Sequence, residues 1–244
     1  MNLYRALRRG TILKAIVGEE PFHWIRSRPE VMEFGSKYGR WAVDTTSISK
    51  STVVVSFGLG EDVTFESDLI ERFGCSIFGF DPTPRSIQYI ADNIRNPRFS
   101  SFPYALADRD GLITFTLPPE SVADQVSASA YAKYDVTDSN AISVPCLTLN
   151  SIQKKFDIQK IDILKMDIEG AEFAVIEQAA ESGWLNEISQ LLVEFHHFLP
   201  DLTPTKTRNA ISQLRTAGFE ISWIGRTNHE YLFVRRRKAP LAAA

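Results

Sequence analysis

The residues with most chemistry to offer lie at 161–172, which read IDILKMDIEGAE. The centre of this stretch has the content of a strand. Alternation along a strand puts Lys165 and Asp167 on one face, with Asp162, Leu164 and Met166 on the other. A lysine inside a central strand is costly unless a carboxylate or a ligand answers it. Asp167, Glu169 and Glu172 then crowd the strand's carboxyl end and the start of the next helix. Acids there suit a helix dipole. Three acids and a lysine at the carboxyl edge of a parallel sheet also stand where α/β enzymes place their chemistry, and that is the preferred reading. The next apolar run, 190–195, leads into Glu194-Phe195-His196-His197. A histidine pair after a glutamate at a strand end is a site candidate. Its visible partners are too few for a metal site, so no metal ligand is expected.

Upstream, 53–66 read VVVSFGLGEDVTFE. Three valines suit a strand buried on both faces. The glycine turn 56–60 follows, and then Glu61 and Asp62 open a helix whose face carries Phe65, Leu69 and Phe73. Strand, glycine turn and helix N-terminus form the geometry that lets backbone approach a nucleotide-like ligand. A second buried strand, 76–81 (SIFGFD), ends in Asp81. That acid lies about 20 residues past the turn, the spacing at which a carboxylate meets ribose hydroxyls. The other role open to Asp81 is to cap the next helix. Thr83 and Pro84 already supply an N-cap and a first-turn proline, which leaves Asp81 for a ligand.

The remaining elements must position these groups. Residues 99–107 read as a third strand, and 112–117 as a half-exposed strand paired to it through the turn Asp110-Gly111. Residues 118–140 lack periodicity and read as a surface loop or a lid. Residues 141–148 form another strand, which Pro145 marks as an edge or a bulge. Ile87, Ile90 and Ile94 mark one helix's buried face, and Trp24, Phe34, Tyr38 and Trp41 serve as packing anchors. Strands alternate with helices until 219–224 and 231–234, two final strands. The expected fold is therefore a doubly wound, Rossmann-like α/β sheet of seven mainly parallel strands with a C-terminal antiparallel hairpin. It occupies 51–235, behind an N-terminal helical or irregular extension (1–50) and ahead of a disordered tail (236–244).

The totals narrow the partners. The chain has 244 residues, 44% hydrophobic and 23% charged, enough for one large domain. A net charge of -3 gives no basic field, so nucleic acid is not favoured. Cys75 and Cys146 read as buried free thiols in a reducing, cytoplasmic setting. No stretch approaches the ~20 apolar residues of a membrane span, and residues 1–18 carry no unbroken apolar leader core. That basic N-terminus is read as a helix packed on the domain rather than one lying on a membrane surface.

The order of elements resembles the class I S-adenosylmethionine-dependent methyltransferases. LKMDIEGAE, with Glu194-x-His196 after the next strand, is similar to the FkbM-type family. FGSKYGRW, SFGLGEDVTFE and FGFDPTP resemble its methyltransferase-like branch. The resemblance covers residues 34–234 and implies S-adenosylmethionine as cofactor, with methyl transfer usually to a hydroxyl of a sugar or other small-molecule or glycan acceptor. It would place Ser56, Phe57, Gly58, Gly60, Glu61 and Asp62 at the methionine and ribose part. Asp81, beside Pro82, would take the ribose hydroxyls, Leu106 and Asp108 would lie near the adenine, and Asp167 near the sulfonium and acceptor. Where the family carries a first-strand acid and a third glycine, this chain has Ser56 and Asp62, and Glu61 or Asp62 would take over the methionine ammonium. The base that removes the acceptor's proton is to be found among Asp167, Glu169 and His196, with His196 assisted by Glu194 preferred and Lys165 orienting the carboxylates. Two rival readings are an NAD-dependent oxidoreductase, against which FGLGED lacks the last fingerprint glycine, and a non-catalytic binding domain on this scaffold.

Overall fold

The computed structural model describes residues 23, 25, 26, 28, 30–116 and 141–236. Expectations for the helix at 1–18, for Trp24, for the loop at 118–140 and for the tail beyond 236 fall outside them. Among the described residues no helix is long and apolar enough to cross a membrane.

The chain opens with the hairpin β1 (Val31–Phe34) and β2 (Trp41–Asp44). The strands β3 (Val53–Phe57), β4 (Ser76–Phe80) and β5 (Phe99–Phe102) alternate with the helices α1 (Thr64–Phe73) and α2 (Pro84–Asn93). Short strands β6 (Ala105–Leu106), β7 (Gly111–Thr116) and β8 (Ala141–Leu147) follow, then α3 (Leu149–Lys155), β9 (Ile163–Met166), α4 (Glu172–Glu181) and β10 (Gln190–Glu194). The last elements are α5 (Pro204–Thr216), β11 (Phe219–Ile224) and β12 (Glu230–Arg235).

The main sheet has seven strands in the order β11-β12-β10-β9-β3-β4-β5, with β12 antiparallel to both its neighbours and the other pairs parallel. The doubly wound sheet with a reversed C-terminal hairpin is therefore the fold expected. Both faces are covered, which explains why β3, β9 and β10 are mainly apolar, with Ser56 and Lys165 among the buried exceptions. One face packs Val54, Ile163 and Leu192 against Phe65 and Leu69 of α1 and Trp41 and Val43 of β2. The other packs Val55, Leu164 and Val193 against α3, α4 and α5 through Ile152, Ile176 and Ile211.

Several expectations are corrected. Residues 99–107 form two elements in two sheets, because Pro103 and Tyr104 interrupt the run: β5 joins the main sheet, while β6 pairs in parallel with β8. The hairpin through Asp110-Gly111 does not form, because β7 pairs instead with β8, antiparallel, from Gly111↔Cys146 to Thr116↔Ala141. Nor is β8 an edge, since it is the middle of this second sheet. Pro145 is tolerated because pairing with β6 begins only at Cys146. Tyr38 is 91% exposed rather than an anchor, and Ile87 is exposed while Ile90 of the same helix is buried. Residues 31–44 form a strand hairpin rather than a helical or irregular extension. Arg236 belongs to the fold, bonding Glu220 at 2.8 Å. Cys75 and Cys146 are buried free thiols, as expected.

Candidate functional site

A cleft of about 270 Å³ opens at the carboxyl ends of β3, β4 and β9, where sheets of this topology bind ligands. Its floor is the turn after β3. Gly58 has φ +74, and a Cβ there would collide with the Asp167 carbonyl oxygen, so this approach of two strand ends admits only glycine. Gly60, φ +54, has open space where a side chain would stand, so a ligand can approach the turn there.

Asp81 directly follows β4 and is almost wholly buried at the cleft. Its Oδ2 accepts from the Leu59 and Gly60 N–H groups at 3.0 and 2.9 Å, and its Oδ1 from the Thr83 N–H and hydroxyl at 2.9 and 2.6 Å. The inference that Thr83 and Pro84 leave Asp81 free is corrected: Thr83 makes no side-chain cap bond and leans on Asp81. Asp81 thus shapes the turn and ties it to the start of α2. Pro82 and Leu106 also line the cleft, and Phe57 and Phe80 stack beneath it at 4.9 Å.

Other candidates are spoken for. Ser56 is fully buried and donates to Glu66 Oε1 at 2.6 Å. Glu61 pairs with Arg85 of α2 at 2.6 Å. Asp62 accepts from Thr64 and from the Ser36 hydroxyl, and these bonds hold its carboxyl below the usual range although burial pushes the other way. Asp108 is exposed, pairs with Arg109 at 3.5 Å and lies outside the cleft that Leu106 lines. The cause is the split of the third strand, which turns the chain away after Leu106.

Glu66 is the residue that sequence reasoning missed. It lies on α1's buried face, one position after Phe65 and three before Leu69, where a carboxylate requires a partner. That partner is Lys165, whose Nζ stands 3.8 Å from Glu66 Oε1, donates to the Gly58 carbonyl at 2.9 Å and sits 5.2 Å over the Trp41 ring. Register explains the meeting, for Ser56 of β3 pairs with Lys165 of β9. Glu66 thereby supplies beside Ser56 the acid that the first strand lacks. Lys165 answers Glu66 and the turn more closely than it orients the downstream carboxylates.

The acids after β9 gather around His196. Its Nε2 lies 3.7 Å from Asp167 Oδ1, 3.7 Å from Glu169 Oε2 and 3.8 Å from Glu194 Oε1. Its Nδ1 faces fully buried Glu172 Oε1 at 3.3 Å, and the same oxygen accepts the His196 backbone N–H at 2.7 Å. Glu172, not Glu194, is therefore the histidine's hydrogen-bonded partner. Burial works to lower the His196 pKa, but the Glu172, Glu194 and Glu169 carboxylates outweigh it and push it up to about 10. The carboxylates thus favour positive charge at this imidazole. Burial raises the Asp167 and Glu194 carboxyls, with His196 pulling each back. Asp167 Oδ1, Glu169 Oε2 and His196 Nε2 all lie within 4.8 Å of one another, a donor set the sequence had not brought together. His197 is structural, with Thr207 of α5 3.2 Å from its Nδ1.

The sheet order, the glycine turn and the acids at the ends of β4 and β9 define a Rossmann-like domain of the methyltransferase kind. Residues 53–221 match the family described as the methyltransferase FkbM domain, and the chain belongs to that family. The probable methyltransferase-like protein 24 of Rattus norvegicus is 28% identical over 163 residues, 67% of this chain and 38% of that protein. Its Homo sapiens counterpart is 29% identical over 153 residues, 62% of this chain and 34% of that one. The chain thus spans little more than a third of these relatives. Among solved structures it resembles the fibrillarin pre-rRNA processing protein of Methanococcus jannaschii, with 10% identity, 78% of this chain and 69% of that one covered, and TM-score 0.45. Aeropyrum pernix fibrillarin in complex with S-adenosyl-L-methionine gives 11% identity, 89% and 85% coverage, and TM-score 0.41.

Proposed function

We propose that this chain is an S-adenosylmethionine-dependent methyltransferase acting on a hydroxyl of a sugar or other small-molecule or glycan acceptor in a reducing, cytoplasmic setting. The observation that carries this reading is the placement of the Gly58–Gly60 turn against both Asp81 and Asp167 in one cleft. The residues fit the cofactor. Open space adjoins the turn at Gly60, Leu106 and Phe80 give an apolar wall for an adenine, and Asp81 and Asp167 offer negative charge to a cationic ligand. When bound, S-adenosylmethionine supplies a methyl group on a positively charged sulfur.

The protein's own task is positioning. Displacement at the methyl carbon requires the acceptor oxygen in line with the sulfur, and holding that geometry supplies much of the acceleration. Asp167 lies at the junction of the turn and the acid cluster, its backbone N–H bonded to the Phe57 carbonyl at 3.2 Å, so its place relative to the turn is fixed by the sheet. The test is calorimetric titration of the purified chain with S-adenosylmethionine, S-adenosylhomocysteine and NAD, followed by transfer of radiolabelled methyl to a panel of sugars and glycans. Saturable binding of the first two and label in an alkali-stable ether are expected. Binding of NAD alone would replace this reading with an oxidoreductase, and binding of none would leave a scaffold.

A further inference from the structure

We propose that His196, Asp167 and Glu169 bind one divalent cation, which holds the acceptor hydroxyl beside the cofactor cleft; the cation's role in the reaction, though not its binding, rests on the methyltransferase reading above. The His196 side chain is only 3% exposed, and among the described residues its Nε2 makes no hydrogen bond, the oxygens that surround it standing at 3.7, 3.7 and 3.8 Å. Such separations are too long for hydrogen bonds. They are near those of ligands sharing an ion, since donors each about 2.1 Å from a common centre lie about 3.0–3.4 Å apart. His196 Nε2 needs only a few tenths of an ångström to reach ligand spacing from each oxygen, and the three donor atoms all lie within 4.8 Å of one another.

A second observation points the same way. Glu172, fully buried, accepts the His196 and Gly170 backbone N–H groups at 2.7 and 2.9 Å and faces His196 Nδ1. An ionised carboxylate can only accept, so it places the hydrogen on Nδ1 and turns Nε2 toward Asp167 and Glu169. A carboxylate that orients a ligating imidazole from behind is the usual outer shell of a metal-binding histidine. Charge agrees. Asp167, Glu169, Glu172 and Glu194 all stand within 4 Å of a His196 ring nitrogen, and a divalent ion balances what one imidazole cannot. One nitrogen and two or three carboxylate oxygens suit Mn²⁺ or Mg²⁺, and the imidazole favours Mn²⁺. Asp167 and Glu169 line the cofactor cleft, so coordination positions left open face it.

In the reaction the cation holds the acceptor hydroxyl and eases loss of its proton to a neighbouring carboxylate of the cluster. The oxygen forms a bond to the methyl carbon while the carbon–sulfur bond breaks. Its electron pair stays on sulfur, giving a methyl ether and S-adenosylhomocysteine with the cation unchanged. The test uses the full chain stripped with a chelator and titrated with Mn²⁺ by calorimetry and by the paramagnetic resonance signal of free Mn²⁺. One ion per chain is expected, with affinity lowered at least tenfold in His196→Gln and in Glu169→Gln, each checked for folding by circular dichroism. Pulsed resonance on the wild-type complex should show imidazole nitrogen coupled to the bound ion, which needs no variant. No saturable binding, no nitrogen coupling, or equal affinity in both variants overturns the site. S-adenosylhomocysteine binding to the stripped chain keeps the two ideas apart: binding without a Mn²⁺ site sinks this inference alone, and a Mn²⁺ site without binding upholds it while sinking methyl transfer.

Discussion

Lys165 and Glu66 hold opposite charges in the interior, their side chains 5% and 1% exposed, and each is answered by more than the other. The Ser56 hydroxyl donates to Glu66, and the Gly58 carbonyl and Trp41 ring take the lysine. Removing one member of such a pair leaves a charge stranded. Glu66→Ala should therefore cost about 3–5 kcal/mol of stability in urea unfolding, and Glu66→Leu with Lys165→Met should regain most of it. A loss under about 1 kcal/mol would mean that Trp41 and the Gly58 carbonyl suffice for Lys165. Asp81 poses a different question, for its four hydrogen bonds all go to protein groups. A ribose would have to share those oxygens. Asp81→Asn should weaken S-adenosylhomocysteine about tenfold to a hundredfold, since charge-assisted bonds of this kind are worth about 1.5–3 kcal/mol. The analogue lacking the ribose hydroxyls separates two roles. Equal weakening of both ligands would mean that Asp81 acts only by shaping the turn, whereas direct contact predicts a smaller effect on the analogue.

At the scale of elements, the turn after β3 carries two glycines with unequal duties. Gly58→Ala drives a methyl into the Asp167 carbonyl and so wedges β3 from β9; it should yield little folded protein. Gly60→Ala meets nothing and carries only the left-handed backbone cost of about 1–2 kcal/mol. It should fold, with a slightly lower melting temperature, yet bind S-adenosylhomocysteine poorly because the methyl fills the space a ligand needs. Unimpaired binding by folded Gly60→Ala would move the ligand off this turn. The strands of the main sheet were legible because a sheet covered on both faces demands mainly apolar runs, as in VVVSF and QLLVE. The small sheet was not. Asp110-Gly111 is a sound local turn signal, but β7's partner is the run at 141–147, more than twenty residues on, and no local rule reveals a pairing that distant.

For the whole molecule, what could be read was each strand's end and the acid it carries; what could not was their convergence. Asp81, Asp167 and His196 were singled out from their places at strand termini. That Glu172 rather than Glu194 backs the histidine depends on how α4 turns beneath β10, and Lys165 meets Glu66 only because α1 lies over β3 and β9. These are tertiary facts, decided by packing. The same holds at the far end of the sheet, where the segment before β1 docks through His23. Its ring lies 6.0 Å from Tyr231 of β12, edge on. Burial lowers its pKa to about 4, and the Arg215 and Arg208 charges of α5 add to the shift. The folded pKa is thus depressed below the unfolded 6.5, so the unfolded chain takes up a proton first. The contribution of His23 to stability is whole above pH 6.5, drains away as pH falls, and is gone near pH 4. Many groups titrate over that range, the His196 cluster among them, so the test is a difference. Urea midpoints of wild type and His23→Gln, measured from pH 8 to 4, should converge as pH falls. A constant offset would show that His23 titrates as it does in the unfolded chain, and that the segment carrying it is not packed against β12 and α5 in solution.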